Sequence, residues 1–407
     1  MNIVLVSGFR IFPASTGGHI RSGSIARALA RLGHTVLIYS LAGRAGDYGL
    51  GGLFGRNYRI DEIEERLTEE THLGLGYGLL QTIGRRRGLP RVWQHALMRR
   101  GLVPLRLKAA LRKADIVIGD LPYCPPVPEC GGARPWYLLS HNLEHRLLEQ
   151  GDAIHRRFAP WMKKIETDAP RLYRDIFACA EEDRDFFRGH DPEHRLKVPL
   201  IRVGVDPNAY VVPAGERERI RAELGLDDAD RLVAFAGSGF GPNMEALAEL
   251  RKFSVAEAEF LGRERLYFLI LGSMSSAASR EGALIATGRV PEVVPYFAAA
   301  DAGLNPVTRG SGANVKLFEY LAARLPVIST TFGVRGSTLQ PDVDYLDYSP
   351  QTFKRVLERF VHERTVAEWR DFAQQVWERH KSSCDIEELV RDAIAQLPDL
   401  NAAPAHQ

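Results

Sequence analysis

Short runs of apolar residues alternate with longer amphipathic stretches over most of this 407-residue chain. The apolar runs include 2–7, 35–40, 114–119, 136–140, 232–236 and 266–272. Runs this short and this uniformly apolar are typical of strands in a parallel sheet that is covered on both faces. The stretches between them repeat apolar positions every three or four residues, which indicates helices. The pattern therefore predicts an α/β protein, and its length favours two domains.

One stretch late in this alternation, residues 299–336, combines a strand, a glycine-containing loop at 309–314, a helix and a second strand. Backbone N–H groups at such a helix start are free to bind an anion, which the helix dipole also favours. Lys316 adds a cation in the first turn, and Glu319 follows one turn later on roughly the same face. These residues fit phosphate beside Lys316 and sugar hydroxyls beside Glu319, or a tight turn followed by a solvated Glu319.

Two other loops repeat the order of strand, glycines and helix. Gly17 and Gly18 precede the first helix, and Arg21 lies in its first turn. Gly239 and Asn243 lie in a loop after a later apolar strand. Neither loop has the G-x-G-x-x-G spacing, which disfavours a nicotinamide dinucleotide and hence a dehydrogenase. Each loop fits either a bound phosphate or a tight turn at a helix N-terminus.

The composition is that of an ordinary globular protein, with 45% hydrophobic and 26% charged residues and a formal net charge of +2. Its four cysteines show no C-x-x-C spacing, which predicts reduced packing residues in a cytosolic protein. The first residues read as a strand rather than a signal peptide. No apolar run approaches the roughly 18 residues of a membrane span. Acidic residues at 227–230 fit an ordinary turn, and no metal site is predicted.

A basic stretch interrupts the alternation between residues 85 and 113, where ten Lys or Arg residues occur without an acidic residue. Large apolar residues such as Trp93, Leu97 and Leu105 are interleaved with them. Basic amphipathic stretches favour anionic membrane surfaces or anionic ligands, although a solvated helical face has the same composition. Nucleic acid is disfavoured because the basic residues are confined to one stretch without a known binding motif.

Residues 310–336 resemble the donor-site motif of the family 4 glycosyltransferases, which have the GT-B fold; the sequence here is GSGANVKLFEYLAARLPVISTTFGVRG. In that family a Glu-x7-Glu pair brackets this loop and helix. The second Glu holds the ribose of the nucleotide, and it matches Glu319. The first Glu contacts the donor sugar, and this sequence departs from the pattern there with Ser311.

Other segments resemble the same family. The Gly17-Gly18 loop is similar to the family's first-loop glycine pair, which lies against the donor diphosphate. The sequence HNLE at 141–144 resembles the family's HN-x-E, by which His141 would contact the donor sugar; a structural histidine that caps the next helix is the alternative. The loop at 237–243 lacks the Arg and Lys that most members use for the diphosphate.

The resemblance assigns catalytic roles to His141, Lys316 and Glu319. It assigns donor binding to Gly17, Gly18, Arg21, Gly239, Asn243, Arg289, Val290, Arg309, Gly310, Ser311, Gly312, Ala313, Asn314 and Val315. Among these, backbone amides, Lys316 and Arg309 would bind the diphosphate, and the backbone near Arg289 and Val290 would read the base edge.

The implied fold is α/β of the GT-B type, with two Rossmann-like domains whose parallel sheets face an interdomain cleft. The acceptor-side domain would cover residues 1–200, with a final helix at about 385–402 packed back on it, and the donor domain would cover 201–384. The implied activity transfers a sugar from a nucleotide-diphosphate sugar to a hydroxyl acceptor on a glycan, glycolipid or other glycoconjugate, with retention. Neither a cofactor nor a metal is expected.

The implied partners are the nucleotide sugar, a hydroxyl acceptor that includes lipid-linked forms, and an anionic membrane surface that would bind residues 85–113. Nucleic acid is not among them. The expected location is the cytoplasm, with peripheral attachment at the inner membrane face. Two alternatives stay open: an isomerase related to the nucleotide-sugar 2-epimerases, which share the GT-B fold, and a non-catalytic relative that binds nucleotide sugars or glycans.

Overall fold

The protein is described by a computed structural model that covers residues 1–14, 16–43, 58–86, 91–128, 134–239, 241–310 and 314–401. The chain divides into two compact units. Unit 1 consists of Met1–Arg202 together with Ile386–Gln407, and unit 2 consists of Val203–Asp385.

Unit 1 contains one sheet flanked by helices. Its strands are β1 Asn2–Ser7, β2 Thr35–Ser40, β3 Tyr58–Glu64, β4 Leu67–His72, β5 Ile116–Asp120, β6 Trp136–Leu139 and β7 Asp175–Phe177. Its helices up to residue 202 are α1 Gly17–Arg31, α2 Leu75–Arg86, α3 Val92–Arg99, α4 Leu105–Lys113, α5 Glu144–Glu149, α6 Ala153–Leu172 and α7 Glu181–Gly189. The strand order is β3-β4-β2-β1-β5-β6-β7. β3 pairs antiparallel with β4, and the remaining described pairs are parallel.

Unit 2 repeats this plan with a second seven-stranded sheet. Its strands are β8 Arg231–Ala236, β9 Leu266–Leu271, β10 Ser279–Glu281, β11 Leu284–Gly288, β12 Ala302–Asn305, β13 Val327–Ser329 and β14 Leu346–Asp347. Its helices are α8 Glu216–Glu223, α9 Gly241–Ala256, α10 Ala258–Arg263, α11 Val294–Ala299, α12 Val315–Ala322, α13 Phe353–His362 and α14 Val366–His380, with short 3-10 helices at Pro207–Tyr210 and Lys381–Ser383. The strand order is β10-β11-β9-β8-β12-β13-β14.

The apolar runs of the sequence are buried strands because both faces of the sheet are covered. Successive side chains of β1 point to opposite faces, so Ile3 and Leu5 join one hydrophobic core of unit 1 while Val4 and Val6 join another. The prediction of an α/β protein with two Rossmann-like domains is confirmed. The expectation of parallel sheets is correct except at one edge of each, where β3–β4 and β10–β11 are antiparallel.

The last two helices of the described residues belong to unit 1; they are α15 Ile386–Ala395 and α16 Pro398–Asn401. The apolar face of α15 supplies Ile386, Val390 and Ile394 to the core that contains Ile3 and Ile25. The sequence places these residues at intervals of four, which puts them on one face of a helix.

The β3–β4 hairpin was missed by the sequence analysis because its strands are rich in charged residues. Glu69 on β4 is nevertheless fully buried. Its carboxylate accepts hydrogen bonds from the backbone N–H groups of Ile11 at 2.7 Å and Phe12 at 2.9 Å, and from the hydroxyl of Ser40 at 2.6 Å. This buried carboxylate fixes the loop that leads from β1 to α1. The glycine-rich segment at 44–56 lies outside the described residues.

Residues 91–113 of the basic stretch contain two helices, α3 and α4, whose apolar side chains Met98, Leu107 and Leu111 are buried in unit 1. Some of its cations have partners within the unit. Arg106 pairs with Glu70, and the guanidinium of Arg91 stacks on the ring of Phe9 at 4.8 Å. The stretch is therefore in part a structural element of unit 1.

Three of the four cysteines lie in the described part of the chain, and Cys124, Cys179 and Cys384 are all buried and reduced. Cys130 lies outside the described residues. A helix with the length and apolarity needed to cross a membrane does not occur within the described ranges.

Candidate functional site

The glycine loop predicted as a phosphate site leads into α12, which has eight residues. Gly310 has a φ of +134°, a backbone conformation that side chains other than glycine rarely adopt. Ser311, Gly312 and Ala313 lie outside the described residues. Asn314 precedes the helix and does not cap it; its Nδ2 donates to the carbonyl oxygen of Gly333 at 3.0 Å. Val315 begins the helix and is half-buried.

Lys316 is buried in the first turn of α12, with 8% of its surface exposed. Its Nζ donates to Oδ1 of Asn243 at 2.7 Å and lies 5.1 Å from the ring centroid of Phe235. Asn243 is held in turn by a hydrogen bond from its Nδ2 to the carbonyl oxygen of Ser238 at 3.0 Å. Burial lowers the pKa of Lys316 to about 7, and the positive charge of Arg335 contributes to the shift. The site thus holds a poorly solvated cation that an anion would stabilise.

Glu319 lies one turn further along α12 and is also 8% exposed. This burial excludes the interpretation of Glu319 as a solvated helix residue. Its Oε1 accepts a hydrogen bond from the hydroxyl of Tyr210 at 3.1 Å. Burial raises the pKa of Glu319, against the opposing effects of Tyr210 and Lys316. The other carboxylate oxygen can accept from a sugar hydroxyl.

The remaining donor-site predictions in unit 2 fall in loops after its parallel strands. Gly239 is exposed, and its N–H donates to Oγ of Ser273 at 3.1 Å. Arg289 and Val290 follow β11, where Arg289 is exposed and Val290 is half-buried. These positions and the start of α12 share the carboxyl edge of the sheet, where open α/β sheets bind ligands. Arg309 is exposed, and its guanidinium binds the carboxylate of Glu245.

His141 follows β6 at the carboxyl edge of the unit 1 sheet. Its Nε2 lies 2.8 Å from Oδ1 of Asp120 and 3.1 Å from Oγ of Ser22. Asp120 also accepts hydrogen bonds from the hydroxyls of Ser7 and Ser22, each at 2.9 Å. Because the carboxylate only accepts, Nε2 carries the proton and Nδ1 is left as an acceptor.

Electrostatics reinforce this tautomer. Burial lowers the pKa of His141, outweighing the opposing effect of Asp120. Burial alone would raise the pKa of Asp120, but His141 and the two serine hydroxyls bring it below its usual value. The pair is therefore a neutral imidazole beside an ionised carboxylate.

The glycine pair lies next to this histidine. Gly17 is the first residue of α1, and Thr16 caps the helix by accepting from the N–H of His19 at 3.3 Å. A methyl group on Gly18 would lie 3.7 Å from Nδ1 of His141. The acceptor nitrogen of His141 thus faces the backbone at the start of α1, and the absence of a side chain at Gly18 leaves room there.

Arg21, to which the resemblance assigns donor binding, has a partner within unit 1. It is 3% exposed, and its Nη2 donates to the carbonyl oxygen of Ile201 at 2.7 Å. The side chain ties α1 to the end of unit 1, while its Nε and Nη1 have no hydrogen-bond partner among the described residues.

A helix cap is not the role of His141. The backbone N–H groups of Glu144 and His145 at the start of α5 donate to the buried carboxylate of Glu166 at 2.7 and 3.1 Å. Glu166 also contacts Nδ1 of His145 at 2.6 Å. The capping role that was the alternative for His141 is therefore filled by Glu166.

Sequence reasoning missed three neighbours of the predicted site residues. Asp120 could have been predicted, because it is an acidic residue at the carboxyl end of a buried strand. Arg335 lies in a glycine-bearing loop after β13, on the sheet edge that also carries α12. No sequence signal linked Tyr210 to Glu319, because 109 positions separate them.

Two carboxylates of the acidic turn at 227–230 form ion pairs with one arginine. Arg265 binds both carboxylates, with Nη2 2.6 Å from Asp227 and Nε 2.8 Å from Asp230. Within the described ranges, no cluster of three or more His, Cys, Asp or Glu side chains could hold a metal ion.

The family described as Glycosyl transferases group 1 matches residues 230–346 of this chain. That range contains β8 to β13, the loop before α9 and the whole of α12, and therefore both Lys316 and Glu319. No curated protein sequence matches the chain.

Solved structures share the fold over nearly the whole chain. Sucrose-phosphate synthase from Thermosynechococcus elongatus superposes with a TM-score of 0.67 at 14% identity, covering 98% of each chain. An α,α-trehalose-phosphate synthase from Burkholderia xenovorans in complex with glucose-6-phosphate gives 0.65 at 14% identity, covering 98% of this chain and 100% of that one.

A trehalose-6-phosphate protein from E. coli bound with UDP-2-fluoro glucose gives a TM-score of 0.64 at 14% identity, covering 99% of this chain and 100% of that one. At such identities the similarity establishes the fold alone. The fold agrees with the resemblance seen in the sequence: the chain has the GT-B fold, and its residues 230–346 match the family described as Glycosyl transferases group 1.

Proposed function

We propose that this protein is a glycosyltransferase that moves a sugar from a nucleotide-diphosphate sugar to a hydroxyl acceptor with retention of configuration. The observation that carries the proposal is the pair of buried charges on α12, Lys316 and Glu319, one turn apart behind a glycine loop in the matched domain. A cation and a carboxylate in this order suit a ligand with an anionic group at one end and hydroxyls at the other.

The donor would bind with its diphosphate at the start of α12, where backbone N–H groups and Lys316 provide positive charge. Asn243 positions Lys316, and Glu319 would accept from the ribose hydroxyls. The backbone at Gly239, Gly310, Asn314 and Val315 would line the same site, together with Ser311, Gly312 and Ala313. The backbone at Arg289 and Val290 would contact the base.

Catalysis would consist of holding the donor and stabilising the departing diphosphate, since retaining transfer in this proposal needs no protein nucleophile. Lys316 would stabilise charge on the leaving group. His141 would accept a hydrogen bond from a donor-sugar hydroxyl at Nδ1, in the tautomer that Asp120 fixes. The proposal requires neither a metal nor a cofactor.

The acceptor proposed is a hydroxyl on a glycan, glycolipid or other glycoconjugate. A membrane surface is proposed as a further partner of the basic stretch at 85–113. Leu102 and Leu105 are exposed by 56% and 82%, and exposed Arg99, Arg100, Arg112 and Lys113 lie near them in sequence. Apolar side chains flanked by cations suit an anionic bilayer. Sedimentation with anionic but not zwitterionic vesicles would support this, and equal recovery with both would contradict it.

The test of the activity is incubation of purified protein with UDP-, GDP-, ADP- and TDP-sugars without acceptor, following melting temperature and released nucleotide together. The proposal expects one donor to stabilise the protein and to release its nucleoside diphosphate slowly by hydrolysis. Interconversion of the sugar without release would identify an isomerase instead. Absence of stabilisation by every donor would indicate a protein that binds no donor and would overturn the proposal. NMR of a product formed with added acceptor then reports the anomeric configuration.

A further inference from the structure

The proposed diphosphate site has few cations for a ligand with two phosphate groups. The loop at 237–243 contains neither Arg nor Lys. Arg309 lies in the glycine loop, but it is exposed and its guanidinium binds the carboxylate of Glu245, with Nε 2.6 Å from Oε2. A phosphate at Arg309 would have to compete with that carboxylate. Lys316, which follows the glycine loop in the first turn of α12, is buried and would be the main cation for the diphosphate.

Arg335 is a second cation at the start of α12, although it is 19 positions away from Lys316 in the sequence. A methyl group on Gly310 would lie 3.6 Å from its Nη2 and 3.6 Å from Cγ of Pro242. The guanidinium thus comes close both to the glycine loop and to the start of α9. Its charge reaches Lys316, whose pKa it helps to lower.

The loop that carries Arg335 is firmly attached to this edge of the sheet. The carbonyl oxygen of Gly333 accepts from Nδ2 of Asn314 at 3.0 Å and from Nδ2 of Asn305 at 2.8 Å. The N–H of Gly333 donates to the hydroxyl oxygen of Thr330 at 2.9 Å. Asn314 immediately precedes α12, so the hydrogen bond at Gly333 couples the Arg335 loop to the start of that helix.

The guanidinium is oriented by its own neighbours. Its Cζ lies 3.8 Å from the ring centroid of Phe332, and Nη1 donates to the carbonyl oxygen of Phe332 at 3.0 Å. Stacking on an aromatic ring restricts a long side chain and directs the donors of the guanidinium into its own plane. Nη2 is the guanidinium atom that would lie 3.6 Å from a methyl group on Gly310.

We propose that Arg335 is a diphosphate-binding residue, which supplies the second cation that the loop at 237–243 lacks. This inference rests on the proposed function, since it concerns the same donor. Lys316 and Arg335 would place two positive charges at the start of α12. A donor with two phosphates could then bind without a cation at 237–243. A planar guanidinium also matches two phosphate oxygens at once, which an ammonium group does not.

The experiment measures the affinity of the wild-type protein and of Arg335→Gln for UDP, GDP and ADP and for the three corresponding nucleosides, by isothermal titration calorimetry. The informative quantity is the preference of each protein for a diphosphate over its nucleoside. Loss of one charge-assisted contact should lower that preference by about tenfold or more. The affinity for the nucleoside should be unchanged, because base and ribose contacts are intact.

Arg364→Gln is the matched control, since Arg364 is an exposed arginine of unit 2 that stacks on Trp369 at 5.0 Å and on Phe372 at 5.1 Å. It should keep the full preference. Arg335→Lys retains the charge without the planar fork and should fall between the wild-type protein and Arg335→Gln, which separates a lost contact from a misfolded loop.

The outcomes separate this inference from the function. A wild-type protein that shows no preference for any diphosphate over its nucleoside contradicts the proposed function and this inference with it. If the wild-type preference persists in Arg335→Gln, the role of Arg335 is contradicted. The same holds if Arg335→Gln loses equal affinity for diphosphate and nucleoside. Either result leaves the proposed function standing. If Arg335→Gln does not fold, an undiminished preference in Arg335→Lys contradicts bidentate binding.

Discussion

Tyr210 donates a hydrogen bond to the buried carboxylate of Glu319, with Oη 3.1 Å from Oε1. Tyr210 ends a short 3-10 helix near the start of unit 2, and its ring stacks on Phe297 at a centroid distance of 6.5 Å. Phe297 in turn packs edge-on against Tyr320, the residue after Glu319. The hydrogen bond and the aromatic contacts together fix one carboxylate oxygen of Glu319.

Replacing Tyr210 with phenylalanine should weaken nucleotide binding while the fold survives. The ring contacts remain, but the carboxylate of Glu319 loses the hydrogen bond that orients it. A hydrogen bond to a charged group is worth about 1.5–3 kcal/mol, and only the part that orients the carboxylate affects the ligand. We expect a three- to tenfold rise in the dissociation constant for the nucleoside diphosphate that binds, measured by calorimetry. Tyr296→Phe, on α11 in the same unit, is the control. Unchanged affinity in Tyr210→Phe would show that Glu319 needs no such orientation.

Glu319→Gln should remove discrimination at the ribose. The amide occupies the same volume, but it replaces a carboxylate acceptor with a neutral group, and hydrogen bonds to charged groups are worth about 1.5–3 kcal/mol. The wild-type protein should prefer a nucleoside diphosphate over its 2′,3′-dideoxy analogue, and Glu319→Gln should lose most of that preference. Calorimetry with both ligands gives the ratio. A ratio equal to that of the wild-type protein would mean that Glu319 does not contact the ribose.

The sequence predicted those parts of the molecule in which local pattern and structure agree. The apolar runs became strands because both sheet faces are covered, and the glycine loop before α12 was recognisable from Gly310 and the helical spacing that follows. Burial of Lys316 was not predictable, since it results from Asn243 and Phe235, which are remote in sequence. Strands β3 and β4 were missed because a glutamate usually indicates a solvated position. Glu69 is instead a buried carboxylate whose hydrogen bonds are made within the protein.

Nucleoside diphosphate binding should be coupled to proton uptake by Lys316. The pKa of about 7 lies below the usual value of 10.5, so at pH 8 the unliganded side chain is mostly neutral. A phosphate beside it favours the ammonium form and raises the pKa. Binding at pH 8 should therefore take up close to one proton, and this uptake should decline at pH 6, where the lysine is already charged.

The proton uptake is measured by calorimetry at pH 8 in two buffers of different ionisation enthalpy. Lys316→Met should abolish the dependence on buffer along with most of the affinity.

The charged form of Lys316 favours ligand binding, but it lowers the stability of the unliganded protein. Because the folded pKa is depressed, burying the charged lysine destabilises the unliganded protein fully below pH 7, and this cost declines between pH 7 and 10.5. Lys316→Met should thus melt no lower than the wild-type protein at pH 6 without ligand. No buffer dependence in the wild-type protein would contradict a titrating Lys316.

Gly18→Ala should reduce transfer without reducing stability. The added methyl group would lie 3.7 Å from Nδ1 of His141, an ordinary contact distance, so the fold can accept it. Alanine within α1 is also favoured over glycine by about 1 kcal/mol. The same methyl group fills the space in front of the nitrogen that is proposed to bind the donor sugar. We expect an unchanged or higher melting temperature together with at least a tenfold loss of transferase activity.

Gly189→Ala in α7, where a methyl group would meet no atom within 4 Å, should leave both quantities near those of the wild-type protein. Full activity in Gly18→Ala would contradict a ligand between Gly18 and His141.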